Sequence, residues 1–113
     1  MKKEVDPFGG DPHTPGVKLD GAKPLAWTMI SGFANALKEV AAVTTVGAIK
    51  YTPEGWVHVH RGEERYMEAF ARHMLDLGSG EIIDEDTKCM HLAQIAWNAL
   101  AVLELQLRKK KNG

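Results

Sequence analysis

The chain has 113 residues, enough for one modest core, with 44% hydrophobic residues, 26% charged residues and a formal net charge of −1. That balance is globular, and it offers no global field for a nucleic-acid polymer or a membrane surface. The lone Cys89 excludes an internal disulfide, no apolar run approaches the ~20 residues of a membrane span, and the start MKKEVDPFGG lacks the apolar segment of a signal peptide. The expected location is the cytoplasm.

Residues 1–24 hold Pro7, Pro12, Pro15 and Pro24 together with Gly9, Gly10, Gly16 and Gly21, a density of breakers that excludes a regular helix. Residues 1–15 read as a flexible or extended arm, and residues 16–109 as a single α-helical domain. The loop from Gly16 to Pro24 carries Lys18, Asp20 and Lys23. It can fold over an anion with the two lysines as point charges, or it can be a plain solvated loop.

Residues 30–46 read as a helix, with Ser31 as N-cap and Gly47 as the stop. Phe33, Ala34, Leu37, Val40, Ala41 and Val43 recur at helical spacing. Pro53-Glu54-Gly55 marks a turn, and Trp56 to His60 read as extended loop. Tyr51 and Trp56 can pack that loop down or stack on a base. His58 and His60 read as a surface pair.

Residues 62–78 read as a helix whose apolar face is Met67, Phe70, Ala71, Met74 and Leu75. Arg65, Glu68, Arg72 and Asp76 line a second face, either as a solvated charge ladder or as one wall of a site. Glu81, Asp84, Glu85 and Asp86 follow within six residues. Four carboxylates so close repel unless solvated or bound to a hard cation such as Mg²⁺ or Mn²⁺; otherwise they form an acidic helix entrance capped by Asp86 or Thr87.

Residues 87–109 read as the longest helix, apolar around much of its circumference and thinned by Ala93, Ala96, Ala99 and Ala101. His91, Gln94 and Asn98 form a polar stripe on it. A buried unpaired polar group costs about 1–3 kcal/mol, so the stripe must pair with the charged face of helix 62–78 or with a ligand. A small phosphate-bearing ligand, a nucleotide, fits best. The basic run from Arg108 to Lys111 reads as a solvated helix end, with residues 110–113 as a basic tail. The expected fold is all-α: a three-helix protomer with a long N-terminal arm, assembled into a helical dimer or tetramer.

The ordered set Lys18-x-Asp20-x-x-Lys23-Pro24, Gly47-Ala48-x-Lys50-Tyr51, Trp56, Arg65-Tyr66-x-Glu68-Ala69-x-x-Arg72-His73, Gly80-Glu81-x-x-Asp84, His91-Leu92-Ala93 and Asn98-Ala99 resembles a known family. It is that of the phage and prophage proteins called dATP/dGTP diphosphohydrolase N-terminal domain, relatives of MazG-like nucleotide pyrophosphatases. The resemblance covers roughly residues 16–107. Ala22, Lys88 and Gln94 depart from the family pattern, which has glycine at the first two positions and a second histidine at the third. The Glu-x-x-Glu and Glu-x-x-Asp helix pairs of MazG-type enzymes also have no full counterpart here.

The resemblance implies an all-α oligomer that removes pyrophosphate from a deoxynucleoside triphosphate with Mg²⁺ or Mn²⁺, in the host cytoplasm where the gene is phage-borne. It implies Glu68, Glu81 and Asp84 as metal ligands, with Glu68, His73 and Asp84 as catalytic groups. Lys18, Asp20, Lys23, Lys50, Arg65, Arg72, His91 and Asn98 would hold the substrate. Two other readings stand beside it. One is a non-catalytic protein that sequesters nucleotides, cyclic signalling nucleotides of host defence among them. The other is a helical oligomerisation module without ligand.

Overall fold

The computed structural model describes residues 4–112. Among them are four α-helices, α1 (Ala26–Gly32), α2 (Ala34–Lys50), α3 (Gly62–Gly78) and α4 (His91–Asn112), and no named strand. The all-α expectation therefore holds, and the helix count rises from three to four. The first three residues of the expected arm and Gly113 of the expected tail lie outside the described residues. The chain divides into two compact units, Met1–Gly32 and Phe33–Gly113.

In the first unit the breaker-rich segment is organised by Asp6. Its carboxylate accepts hydrogen bonds from the backbone N–H of Phe8 at 2.7 Å and of Lys18 at 3.1 Å. The Gly21 N–H donates to the Val5 carbonyl at 2.7 Å. A Cβ on Gly21 would come within 2.8 Å of that oxygen, so this approach requires glycine. Helix α1 starts two residues after Pro24, and Ser31 lies in its last turn with Oγ donating to the Trp27 carbonyl at 2.8 Å. Ser31 is thus a helix-interior residue rather than the expected N-cap. The expected helix 30–46 is two elements, because the backbone leaves helical geometry at Phe33 (φ −108°, ψ 19°) just after the conformationally loose Gly32.

In the second unit α2 runs through Gly47 to Lys50, three residues beyond the expected stop. A glycine ends a helix when it turns left-handed, and Gly47 does not: its carbonyl accepts from the Tyr51 N–H at 2.9 Å. The Thr45 hydroxyl donates back to the Ala41 carbonyl at 3.1 Å, which satisfies its polar group within the helix. Gly55–His58, expected as extended loop, forms a 3₁₀ turn. The Tyr66 hydroxyl donates to the Trp56 carbonyl at 2.8 Å and ties this turn to α3.

Helix α3 has the expected bounds, set by one apolar stripe, a charged opposite face and a glycine at each end. Its first residue, Gly62, is buried, and a Cβ there would sit 3.2 Å from Leu105 Cδ1 of α4. Helices α3 and α4 make the most extensive contact, and α2 packs on α4. The buried apolar residues are small: Cys89, Ala93, Ala101 and Val102. They let the helix backbones approach closely. The last turn of α4 holds Lys109, Lys110 and Lys111, where positive charge complements the carbonyl end. No helix among the described residues is long and apolar enough to cross a membrane.

Candidate functional site at the junction of α3 and α4

Helix α3 ends in a left-handed glycine cap. The Gly80 N–H donates to the Leu77 carbonyl and the Glu81 N–H to the Asp76 carbonyl, both at 3.0 Å, with Gly80 at φ 103°. These two hydrogen bonds fold the chain back, so that Glu81 returns beside Asp76 one turn up the helix.

The acidic segment then forms a small hairpin rather than a helix entrance. Ile83 and Met90 make an antiparallel bridge. The Asp84 N–H donates to the Cys89 carbonyl at 2.8 Å, and the His91 N–H to the Ile82 carbonyl at 3.0 Å. The Asp84 carboxylate accepts from the Asp86 N–H at 2.9 Å, and the Thr87 hydroxyl accepts from the Cys89 N–H at 3.2 Å. These local bonds compete with helix formation, so α4 starts at His91 and not at residue 87, and the side chains of Asp84 and Thr87 cap the hairpin loop while Asp86 points to Lys50. Lys88 adopts φ 64°, the left-handed region that favours glycine. This is the position where the resembled family has glycine.

The first turn of α4 carries the polar stripe inward. His91 is 1% exposed, the most deeply buried large side chain of those described. Its Nε2 lies 2.8 Å from Glu81 Oε1, and its Nδ1 lies 2.9 Å from His73 Nδ1 of α3. Asp76 Oδ2 is 4.0 Å from the same Nε2. Gln94 donates from Nε2 to Asp84 Oδ2 at 3.0 Å, and Asn98 donates from Nδ2 to the Gln94 carbonyl at 2.8 Å. Every buried side-chain polar atom among the described residues has a partner. Two groups offer ligand atoms within 4.8 Å of one another: His73, Asp84 and His91, and Asp76, Glu81 and His91.

The electrostatics follow from burial and these bonds. For Asp84, burial acts first and opposes ionisation, but hydrogen bonds from Gln94, from the Asp86 backbone and from Thr87 together outweigh it. The carboxyl is held below the usual 3.8. For His73, burial and then the neighbouring His91 push the imidazole below the usual 6.5. Below 6.5 the unfolded chain therefore binds more protons at this histidine, so stability declines as pH falls from 6.5 towards the folded value. Asp84 adds stability above 3.8 that is lost as pH falls through its own lower value. In EDTA-treated protein the melting temperature is expected to drop on acidification from pH 6.5 downward, and His73→Gln is expected to flatten the upper part of that slope. Parallel slopes for both proteins would refute this account.

Beside the cluster lies an open groove of about 550 Å³ within the second unit. Lys50, Arg65 and Arg72 give it cationic edges, and Tyr51, Trp56, Tyr66 and Trp97 give it aromatic surface. Trp97 meets Trp56 and Tyr66 edge-on, with ring centroids 5.7 Å and 5.6 Å away. Trp97 Nε1 donates to Thr44 Oγ1 of α2 at 3.1 Å. Thr87 and Cys89 also line the groove, and both are bonded to Asp84, which joins the groove wall to the acid–histidine cluster.

Of the residues singled out from sequence, the fold gathers His73, Glu81, Asp84, His91 and, through Gln94, Asn98. It sets Lys50, Arg65 and Arg72 along the groove. Glu68 is exposed on α3 and belongs to neither ligand group. Lys18, Asp20 and Lys23 belong to the first unit, where the Lys23 N–H donates to the Asp20 carbonyl at 3.1 Å. From sequence Asp76 reads only as one charge of a face that is either a ladder or a site wall, and not as a site residue; Gly80 after α3 was the available signal that Glu81 would fold back onto it. Tyr66 and Trp97 also line the groove without being singled out as site residues from sequence; Tyr66 follows Arg65 directly, a signal that was available, while Trp97 sits among apolar and amide residues and offers none.

No match was found among curated proteins or among solved structures. The family model described as dATP/dGTP diphosphohydrolase, N-terminal, matches residues 13–113, nearly the whole length and with it every residue of the cluster and the groove, and the chain belongs to that family.

Proposed function

We propose that the protein is a phage-type nucleotide pyrophosphohydrolase that splits a (deoxy)nucleoside triphosphate into monophosphate and pyrophosphate. The observation that carries the reading is the groove, which combines aromatic faces for a base with three cationic side chains for phosphates and ends against the Asp84 hairpin. Family membership supports the same class of chemistry. Lys50, Arg65 and Arg72 hold the phosphates, Arg by paired N–H donors and Lys as a point charge. The attacking water is oriented at the Asp84–His73–His91 cluster. Its oxygen bonds to the α-phosphorus, its proton passes to a carboxylate of the cluster, and the bond from the α-phosphorus to the bridging oxygen breaks to release pyrophosphate.

A divalent cation, Mg²⁺ or Mn²⁺, supplies neutralisation of phosphate charge when bound. The donor set fits such an ion through Asp84. Glu81 is engaged with the His91 ring, and Glu68 stands outside both ligand groups. Lys18, Asp20 and Lys23 remain proposed phosphate-loop residues on the strength of the sequence pattern.

The protein is proposed to work as a homo-oligomer, a dimer or tetramer. Leu92, Leu100, Leu103 and Leu107 lie along one face of α4 and are 51–57% exposed, an apolar stripe suited to a second copy. Light scattering showing a monomer would remove this part of the reading.

A second reading is a nucleotide-sequestering protein without turnover, for linear or cyclic nucleotides. It is favoured by a groove whose aromatic and cationic residues need no metal. The deciding experiment incubates the protein with the common deoxynucleoside and nucleoside triphosphates, with Mn²⁺ or with EDTA, and reads products by mass spectrometry. Pyrophosphate and a monophosphate with Mn²⁺ are expected. Tight binding that survives EDTA, with the nucleotide recovered unchanged, selects the second reading.

A further inference from the structure

We infer that His73 Nδ1, His91 Nδ1 and the Asp84 carboxylate form a three-ligand centre for a borderline transition-metal ion such as Mn²⁺, Zn²⁺ or Co²⁺, in preference to Mg²⁺. The central observation is the approach of two imidazole nitrogens of the same kind, Nδ1 to Nδ1, at 2.9 Å. Two nitrogen ligands about 2.1 Å from one ion and at right angles to each other stand about 3 Å apart. The pair therefore already has the bite of a chelate, and an Asp84 oxygen lies within 4.8 Å of both rings.

The surroundings have the form that metal-binding histidines take. The far nitrogen of a ligating imidazole is ordinarily bonded to a carboxylate, which fixes the tautomer and the ring orientation. Here Glu81 Oε1 sits 2.8 Å from His91 Nε2. With the Nε2 proton directed at Glu81, His91 Nδ1 presents its lone pair towards His73. The carboxylate ligand is braced in turn: Gln94 donates to Asp84 Oδ2 at 3.0 Å, and Asn98 donates to the Gln94 carbonyl at 2.8 Å. Gln94 and Asn98 are each only 5% exposed. This gives the polar stripe on an otherwise apolar helix a use: His91 supplies a ligand, and Gln94 and Asn98, at successive turns, brace the carboxylate ligand. Asp76 and Glu81 address the Nε2 edge of His91 and act as positioning residues and not as ligands.

Two imidazole nitrogens and one carboxylate select first-row transition ions, since Mg²⁺ prefers an all-oxygen octahedron with several waters. Three protein ligands also leave a position open for water or a phosphate oxygen. Thr87 and Cys89, bonded to Asp84, line the groove, so the open side has a route to a groove ligand.

The test titrates Mn²⁺, Zn²⁺ and Mg²⁺ separately into EDTA-stripped, nucleotide-free protein by calorimetry, with the visible spectrum of the Co²⁺ form as a ligand fingerprint. The centre stands on side-chain geometry and is read without nucleotide, so it and the hydrolysis reading fail separately. Expected are one Mn²⁺ or Zn²⁺ per chain and at least tenfold weaker Mg²⁺. His73→Ala and Asp84→Asn each weaken binding roughly 100-fold or more and alter the Co²⁺ spectrum, while Glu81→Gln weakens it about 10–100-fold with the spectrum kept. Asp76→Asn leaves the affinity within about threefold of wild type. Asp84→Asn carries the test should His73→Ala not fold by circular dichroism. Equal affinity for Mg²⁺ overturns the inference, as does no binding at all. Binding that survives His73→Ala but is lost in Asp76→Asn also overturns it, because the ion then sits on the other edge of His91.

Discussion

Asp84→Asn is expected to lower pyrophosphate release from a deoxynucleoside triphosphate by roughly 100-fold or more, with little change in fold. The residue sits where the two halves of the proposed site meet. Its carboxylate lies in the group with His73 and His91, and its loop forms the groove wall through Thr87 and Cys89. Its charge is held by hydrogen bonds from Gln94, Asp86 and Thr87. Asparagine keeps the shape and one acceptor oxygen but removes the charge, so the chemistry should suffer far more than the packing. The amide nitrogen of asparagine cannot accept, so the bond from Gln94 or the bond from the Asp86 N–H is lost, which costs about 1–3 kcal/mol of stability. The groove cations Lys50, Arg65 and Arg72 are untouched, so nucleotide affinity measured in EDTA should stay near wild type. Wild-type rates of pyrophosphate release in Asp84→Asn would sink the proposed mechanism.

The second large effect concerns stability. Trp97→Ala is expected to destabilise the second unit by about 3 kcal/mol or more, read by urea unfolding. Trp97 is half-buried, yet it is the common member of three contacts: edge-on to Trp56, edge-on to Tyr66, and bonded through Nε1 to Thr44. Each aromatic pair contributes about 0.5–1.5 kcal/mol beyond area burial. The loss also removes a link between α2 and α4 in a unit whose buried apolar residues are mostly small. Trp97→Phe keeps a ring but not the indole N–H, and should cost about 1 kcal/mol. A loss below about 1 kcal/mol for alanine would mean that the trio is ornamental to the fold. The same substitution opens the floor of the groove, so nucleotide affinity should fall with it.

Helix α3 was legible to the residue, 62–78, because everything that defines it is local: one apolar stripe, charges opposite, glycines at both ends. The polar stripe of His91, Gln94 and Asn98 was legible for a related reason. Its spacing of three and four residues places it on one face of any helix, and an apolar helix can only bury such a stripe against partners. The break at Phe33 and the run of α2 through Gly47 were not legible, since glycine permits both a stop and a continuation and neighbours decide between them.

The sequence by itself determined an all-α chain, a charged helix followed by an acidic turn, and a polar stripe that required partners. Only the tertiary structure decided who those partners are. His73 and His91 stand 18 residues apart, and their 2.9 Å contact exists because the Gly80 cap and the Ile82–His91 hairpin reverse the chain between two packed helices. Helical periodicity fixes which face a side chain shares with residues three or four positions away. It carries no information about which residue of another helix lies opposite, because that depends on where a turn ends and how closely small residues let two backbones approach. For the same reason the four carboxylates of residues 81–86 read alike in sequence, while the fold sets Glu81 on a histidine ring, Asp84 in a ligand group, and Glu85 and Asp86 in exposed pairs with Lys88 and Lys50.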